Sequence, residues 1–88
     1  SYIKVRDSAV DAICHGANLA ASGVVELTSG IERGSMVVLK TLKGEAIAIA
    51  RSEFSSETIV KKNSGIVAVT ERVFMERGRY PPLWKKHE

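Results

Sequence analysis

Cys14 and His15 are the first pair to consider for chemistry, since a thiol beside an imidazole is the raw material of nucleophilic catalysis. Adjacent residues on a helix point about 100° apart, so this pair is badly placed for proton transfer. His87, the second histidine, lies in a charged tail far along the chain, and one Cys with two His offers no zinc spacing. Asp7 and Asp11 fall on one helical face, where capping explains them more simply than acid–base work. No phosphate loop, G-x-S-x-G elbow or dinucleotide fingerprint occurs. These residues assign no catalytic group, no metal and no cofactor to this chain, and the chain is not expected to act as an enzyme.

A different chemistry is suggested by ICHGANLAASGVVEL, Ile13 to Leu27. Gly16 and Gly23 bracket small residues between a helix pattern and a strand pattern. Bare backbone there makes a shallow groove whose N–H and C=O groups can meet a flat base. On this reading a valine at Gly16 fills the groove. Lys4, Arg6, Arg72, Arg77, Arg79, Lys85 and Lys86 are the cations placed to hold phosphates. They cluster toward the two chain ends, which often meet in a small barrel. The competing readings are that Gly16 only caps a helix, that the cations form a solvated face, and that the chain is a protein-docking β-module.

The elements must position these residues. Tyr2 to Val5 alternates as a strand. A helix follows, with Ser8 as its cap, Asp11 completing a capping box, and Val10, Ile13, Cys14 and Ala17 on one face. Strands are predicted from Val24 to near Ser29, over Met36–Thr41 and over Glu45–Arg51. In the last, alternating Ile and Ala imply that both faces are covered. Ser55-Ser56-Glu57 opens a second helix running through Lys61-Lys62 to Asn63 or Gly65. Gly65 to Met75 is the longest strand. Arg77 to Trp84 holds Pro81 and Pro82 and reads as extended with aromatic anchors. The expected fold is mostly β with two short helices, a small partly open barrel of five or six short strands, the alternative being a two-layer α+β sheet.

The 88 residues make one domain, and 44% hydrophobic content with 26% charge is ordinary for a globular chain. The net charge of +3 suits a polyanionic partner. A lone Cys14 excludes an internal disulfide and reads as a packed thiol of a reducing compartment. No run approaches the roughly 18 apolar residues of a membrane span, so no membrane partner is expected. No Met precedes Ser1 and a strand begins almost at once, which reads as a segment of a longer protein.

Three blocks carry a family resemblance: DSAVDAICHGA (Asp7–Ala17), TLKGEAIA (Thr41–Ala48), and RVFME (Arg72–Glu76) followed by Tyr80-Pro81 and Trp84. Together they resemble the PUA domain of dyskerin-type pseudouridine synthases, in order, from about Ile3 to Trp84. The resemblance implies a PUA-like pseudo-barrel over residues 1–84 with a charged tail at 85–88. It implies an RNA-anchoring role in H/ACA ribonucleoproteins, gripping the ACA end and lower stem of the guide RNA. His15, Gly16, Ala17, Asn18, Leu19 and Gly23 carry over as RNA-binding residues, with Tyr80 to Trp84 as a supporting edge. Other implied partners are the synthase catalytic domain and accessory ribonucleoprotein proteins; DNA is not expected. The isomerising aspartate of the family belongs to a separate upstream domain. The place of work would be cytoplasmic in an archaeon and nucleolar in a eukaryote. Two positions depart from the pattern. Ser22 stands where proline is expected, leaving that turn less rigid, and Pro82 stands where a cation is expected.

Overall fold

The computed structural model describes residues 1–76. Along them run β1 (Tyr2–Val5), α1 (Asp7–Cys14), β2 (Leu19–Ala20), a single 3-10 turn (Ala21–Gly23), β3 (Val24–Leu27), β4 (Met36–Lys40), β5 (Ala46–Ser52), α2 (Ser56–Ile59) and β6 (Ile66–Val73). The six strands form one sheet in the order β2-β6-β5-β4-β1-β3. Only β1 and β4 run parallel; the other pairs are antiparallel.

The connection between the two edge strands closes this sheet into a barrel. Six flat strands would spread over about 24 Å at ordinary spacing. Yet β2 and β3 are joined by the three residues Ala21–Gly23, whose reach is roughly 14 Å at full extension. The sheet must therefore curl until its edges nearly meet, and register shifts in four of the five strand pairs provide the bends. Ile3, Val5, Val37, Leu39, Ile47, Ala48, Ala50, Val67 and Ala68 fill the interior, with Val10, Ile13 and Cys14 of α1 plugging one end. Ile47 and Ala48 are adjacent yet both buried, so both faces of β5 are covered there, as its Ile/Ala alternation implies, while Ile49 farther along is half-buried. The small pseudo-barrel expected from the sequence is the observed architecture.

Several local expectations need correction. Ser8 does not cap α1: the helix starts at Asp7, Arg6 holds the N-cap position, and no side chain caps it. Arg6 N–H donates to the Gly23 carbonyl (2.9 Å), which fixes the helix entry before Ser8 is reached. Ala17 is not on the buried helical face, because the helix stops at Cys14 and Ala17 is exposed. Lys61 and Lys62 do not close α2, which ends at Ile59; 3-10-type bonds from Lys61 N to Thr58 O and Lys62 N to Ile59 O tighten the chain beyond it. Ser55 does cap that helix, accepting from Thr58 N–H at 3.3 Å. β6 is the longest strand but ends at Val73, where the N–H groups of Phe74 and Met75 both donate to the Ile47 carbonyl. The two-residue strand β2 was not foreseen, being too short for any alternation to register.

Candidate nucleic-acid interface

The first helix and the 3-10 turn stand side by side, and an open groove of about 230 Å3 runs between them. Arg6, Ala9, Ala12, Asn18, Ser22 and Gly23 are among its walls, with Leu19 at its base. That volume is below the roughly 300–1,000 Å3 of drug-sized sites and suits one planar ring system.

The two bracketing glycines have different jobs. Gly16 has φ +93° and sits past the helix end, where its N–H donates to Ile13 O (2.8 Å) and Ala17 N–H donates to Ala12 O (3.0 Å). That pair of bonds is a Schellman ending, and the left-handed residue it requires is glycine. A Cβ at Gly16 would meet nothing within 4 Å, and Gly16 does not line the groove, so a valine there strains the turn and fills nothing. Gly23 is the glycine of close approach. A Cβ there would lie 3.1 Å from Leu19 Cδ1 and 3.3 Å from Ala9 Cβ. Its missing side chain lets the 3-10 turn lie against α1.

Arg6 ties the groove's far wall in place. Its Nε–H donates to Ser22 O (2.6 Å) while its backbone N–H holds Gly23 O. The rigidity that proline would give this turn is supplied here by an arginine. On the other flank, Thr70 of β6 holds the helix exit. Its hydroxyl donates to Ala17 O (2.7 Å) and its N–H donates to Asn18 Oδ1 (3.0 Å). The Ala17 carbonyl and the Asn18 side chain thus serve as fasteners. His15 Nδ1 lies 2.9 Å from Asp11 O and 3.6 Å from Asp11 Oδ2, with the imidazole half-exposed and the carboxylate nearly buried. Cys14, by contrast, is packed inward at 5% exposure, so the adjacent thiol and imidazole face different surroundings.

Of the anticipated residues, Arg6, Asn18, Leu19 and Gly23 converge on the groove, while exposed His15, Gly16 and Ala17 extend from it past the helix end. Lys4 and Arg72 lie elsewhere: β1 and β6 are separated by β4 and β5 in the sheet, so these cations do not gather with Arg6 at one chain-end cluster. Arg77, Arg79, Tyr80 and Trp84, with Lys85 and Lys86, fall outside the described residues. Ser8, Ala9, Ala12 and Ser22 line the groove unannounced. Ala9 and Ala12, small residues three apart on a helix, were the available signal for a face another backbone or a ligand approaches.

A family model described as "PUA domain" matches residues 1–74. Among curated proteins, the chain is 44% identical over 84 residues to "Probable tRNA pseudouridine synthase B" of Methanocaldococcus jannaschii, which covers 96% of this chain and 25% of that protein. The chain spans about a quarter of the length of the curated relatives it matches. Among solved structures, it superposes with a TM-score of 0.92 and 42% identity on "Structure of H/ACA RNP bound to a substrate RNA containing 2'-deoxyuridine", covering 94% of this chain and 26% of that one. "Crystal structure of the archaeal box H/ACA sRNP Nop10-Cbf5 complex" gives 0.90 and 42%, covering 94% and 27%.

Proposed function

The chain belongs to the PUA domain family, and from that premise we propose that it is the RNA-anchoring domain of a pseudouridine synthase of H/ACA ribonucleoproteins. Its ligand is the ACA end and lower stem of a guide RNA. An unpaired base enters the groove between α1 and the 3-10 turn, and Arg6 at the rim meets the phosphate beside it. Isomerisation of uridine belongs to the catalytic domain of the parent protein, and the other partners are that domain and the accessory proteins of the particle. The observation that carries this reading is the groove held open by Gly23, Ala9 and Ala12. The likeness to chains from H/ACA particles supports it from outside the molecule.

Ala12→Leu tests it. Position 12 is exposed on a helix and leucine is a good helix former, so the fold is retained while the groove is filled. An ACA-ended hairpin is expected to bind this variant at least about ten-fold more weakly than wild type, the scale of one lost stacking contact. Equal affinity would contradict the reading.

A second reading has its own observation. Leu27, Thr28, Ser29, Ser56, Glu57 and Val60 line a mostly apolar notch of about 220 Å3, with Val60 66% exposed. This notch supports docking onto the synthase core or an accessory protein. Such docking is insensitive to salt, whereas RNA binding weakens steeply as salt is added.

A further inference from the structure

The register of the sheet places a row of residues across its outer face. Tyr2 pairs with Val38, Val38 with Ile49, and Ile49 with Arg72, so these four share one face of β1, β4, β5 and β6. Their neighbours Ile3, Leu39 and Ala48 are fully buried, so the row points outward. Both ends of the row combine a cation with an aromatic ring. At one end Lys40 Nζ lies 4.7 Å from the Tyr2 ring centre and Lys4 Nζ lies 5.8 Å from it. At the other, the Arg72 guanidinium lies 5.8 Å from the ring of Phe74, which is 47% exposed. Between them, Val38 and Ile49 offer a half-buried apolar strip.

Lys4 and Lys40 stand directly opposite each other on paired strands. Like charges so placed repel and weaken a sheet. Glu26, opposite Lys4 on β3, is the acid on that side, and it already accepts the Tyr2 hydroxyl at 2.9 Å. Glu71, on β6 at the other end, is ion-paired with Arg51. Lys4, Lys40 and Arg72 thus stand against the single carboxylate of Glu26 along this row, an excess of positive charge that a polyanion would relieve.

Resting on the reading of this chain as an RNA-binding domain, we propose that this face is a second nucleic-acid surface, separate from the groove. It takes single-stranded RNA across the strands, with Tyr2 and Phe74 as stacking platforms and Lys4, Lys40 and Arg72 as phosphate contacts. Three strand spacings separate Tyr2 from Arg72, about 14 Å along the sheet, which matches about five stacked nucleotides, four steps of roughly 3.4 Å. A base arriving at Tyr2 displaces the Lys40 ammonium from the ring toward the phosphates. The exchange is favourable because stacking a base on the half-buried Tyr2 ring outweighs a surface cation–π contact.

The test uses the whole 88-residue chain, 15N-labelled, with an eight-nucleotide uridine oligomer that contains no ACA. The oligomer is expected to shift the amides of Tyr2, Lys40, Arg72 and Phe74. The double variant Lys40→Gln/Arg72→Gln should lower the slope of log affinity against log salt by about 1.4, the single-strand value for two lost phosphate contacts. Neither side chain is in the core, so the variant should keep the wild-type spectrum elsewhere. Ala12→Leu should weaken binding of the ACA hairpin while the uridine oligomer still shifts the amides of Tyr2, Lys40, Arg72 and Phe74. If the oligomer shifts groove amides only, or the double variant keeps the wild-type slope, this second surface is wrong and the groove reading stands. Face shifts with an ACA hairpin that ignores Ala12→Leu would sink the groove reading and leave this one. Association that is indifferent to salt would mark the face as a protein-docking surface and overturn the proposal.

Discussion

At the scale of single residues, Gly16 and Gly23 look alike in the sequence and differ in their physics. Gly16→Ala should destabilise the fold by about 1–2 kcal/mol, the penalty for a Cβ in left-handed backbone, with RNA affinity of the folded protein unchanged. Gly23→Ala should crowd Leu19 and Ala9 and weaken RNA binding by narrowing the groove, the effect that Gly16→Ala lacks. Urea melts beside binding titrations would separate the two; identical profiles would contradict the division of roles. Tyr2 supplies a pH dependence. Its hydrogen bond to Glu26, and then the charge of that carboxylate, raise the phenol's pKa above its ordinary value. The raised folded value means that the associated stability is fully present below the unfolded pKa near 10 and is lost as pH rises through the folded one. Wild type should therefore lose its urea-midpoint advantage over Tyr2→Phe as pH rises above about 10, the ordinary phenol value; parallel curves would refute this. The sequence made glycine at 16 legible as a helix stop, because local turn chemistry is written in a few neighbouring residues. It could not show that Gly23 touches α1, since that contact depends on how two distant segments pack.

At the scale of elements, the groove is an arrangement of α1 against the 3-10 turn, held from three sides. Arg6 fastens the turn, Gly23 permits the approach, and Thr70 of β6 fastens the helix exit. Thr70→Val keeps the shape and removes the hydroxyl that donates to Ala17 O. It should destabilise by about 1 kcal/mol and speed amide exchange at Gly16 and Ala17, which hydrogen-exchange NMR would read. Unchanged exchange would mean the latch is idle. β1 and β4 were readable because their burial alternates with period two, whereas β3, β5 and β6 were readable from runs of Val, Ile and Ala between turn residues. The helix ends were less so. A Ser8 cap agrees with local propensity, yet tertiary bonding of Arg6 to Gly23 starts the helix earlier, and a four-residue α2 is too short for its charges to mark its end.

For the molecule as a whole, a curled sheet joined edge to edge by three residues carries a base-sized groove at one end and a cationic face along its outside. The barrel could be anticipated from many short strands at close spacing, but the strand order could not, because pairing is decided by long-range packing. The chain-end cations illustrate this: Lys4 and Arg72 lie on strands three positions apart in the sheet. The most direct measurement is an amide titration of the 15N-labelled chain with an ACA-ended hairpin. The largest shifts are expected at Ala12, Asn18, Ser22 and Gly23, growing with RNA and fading as salt is added. Shifts that leave those four amides in place while another part of the barrel responds would contradict the groove reading.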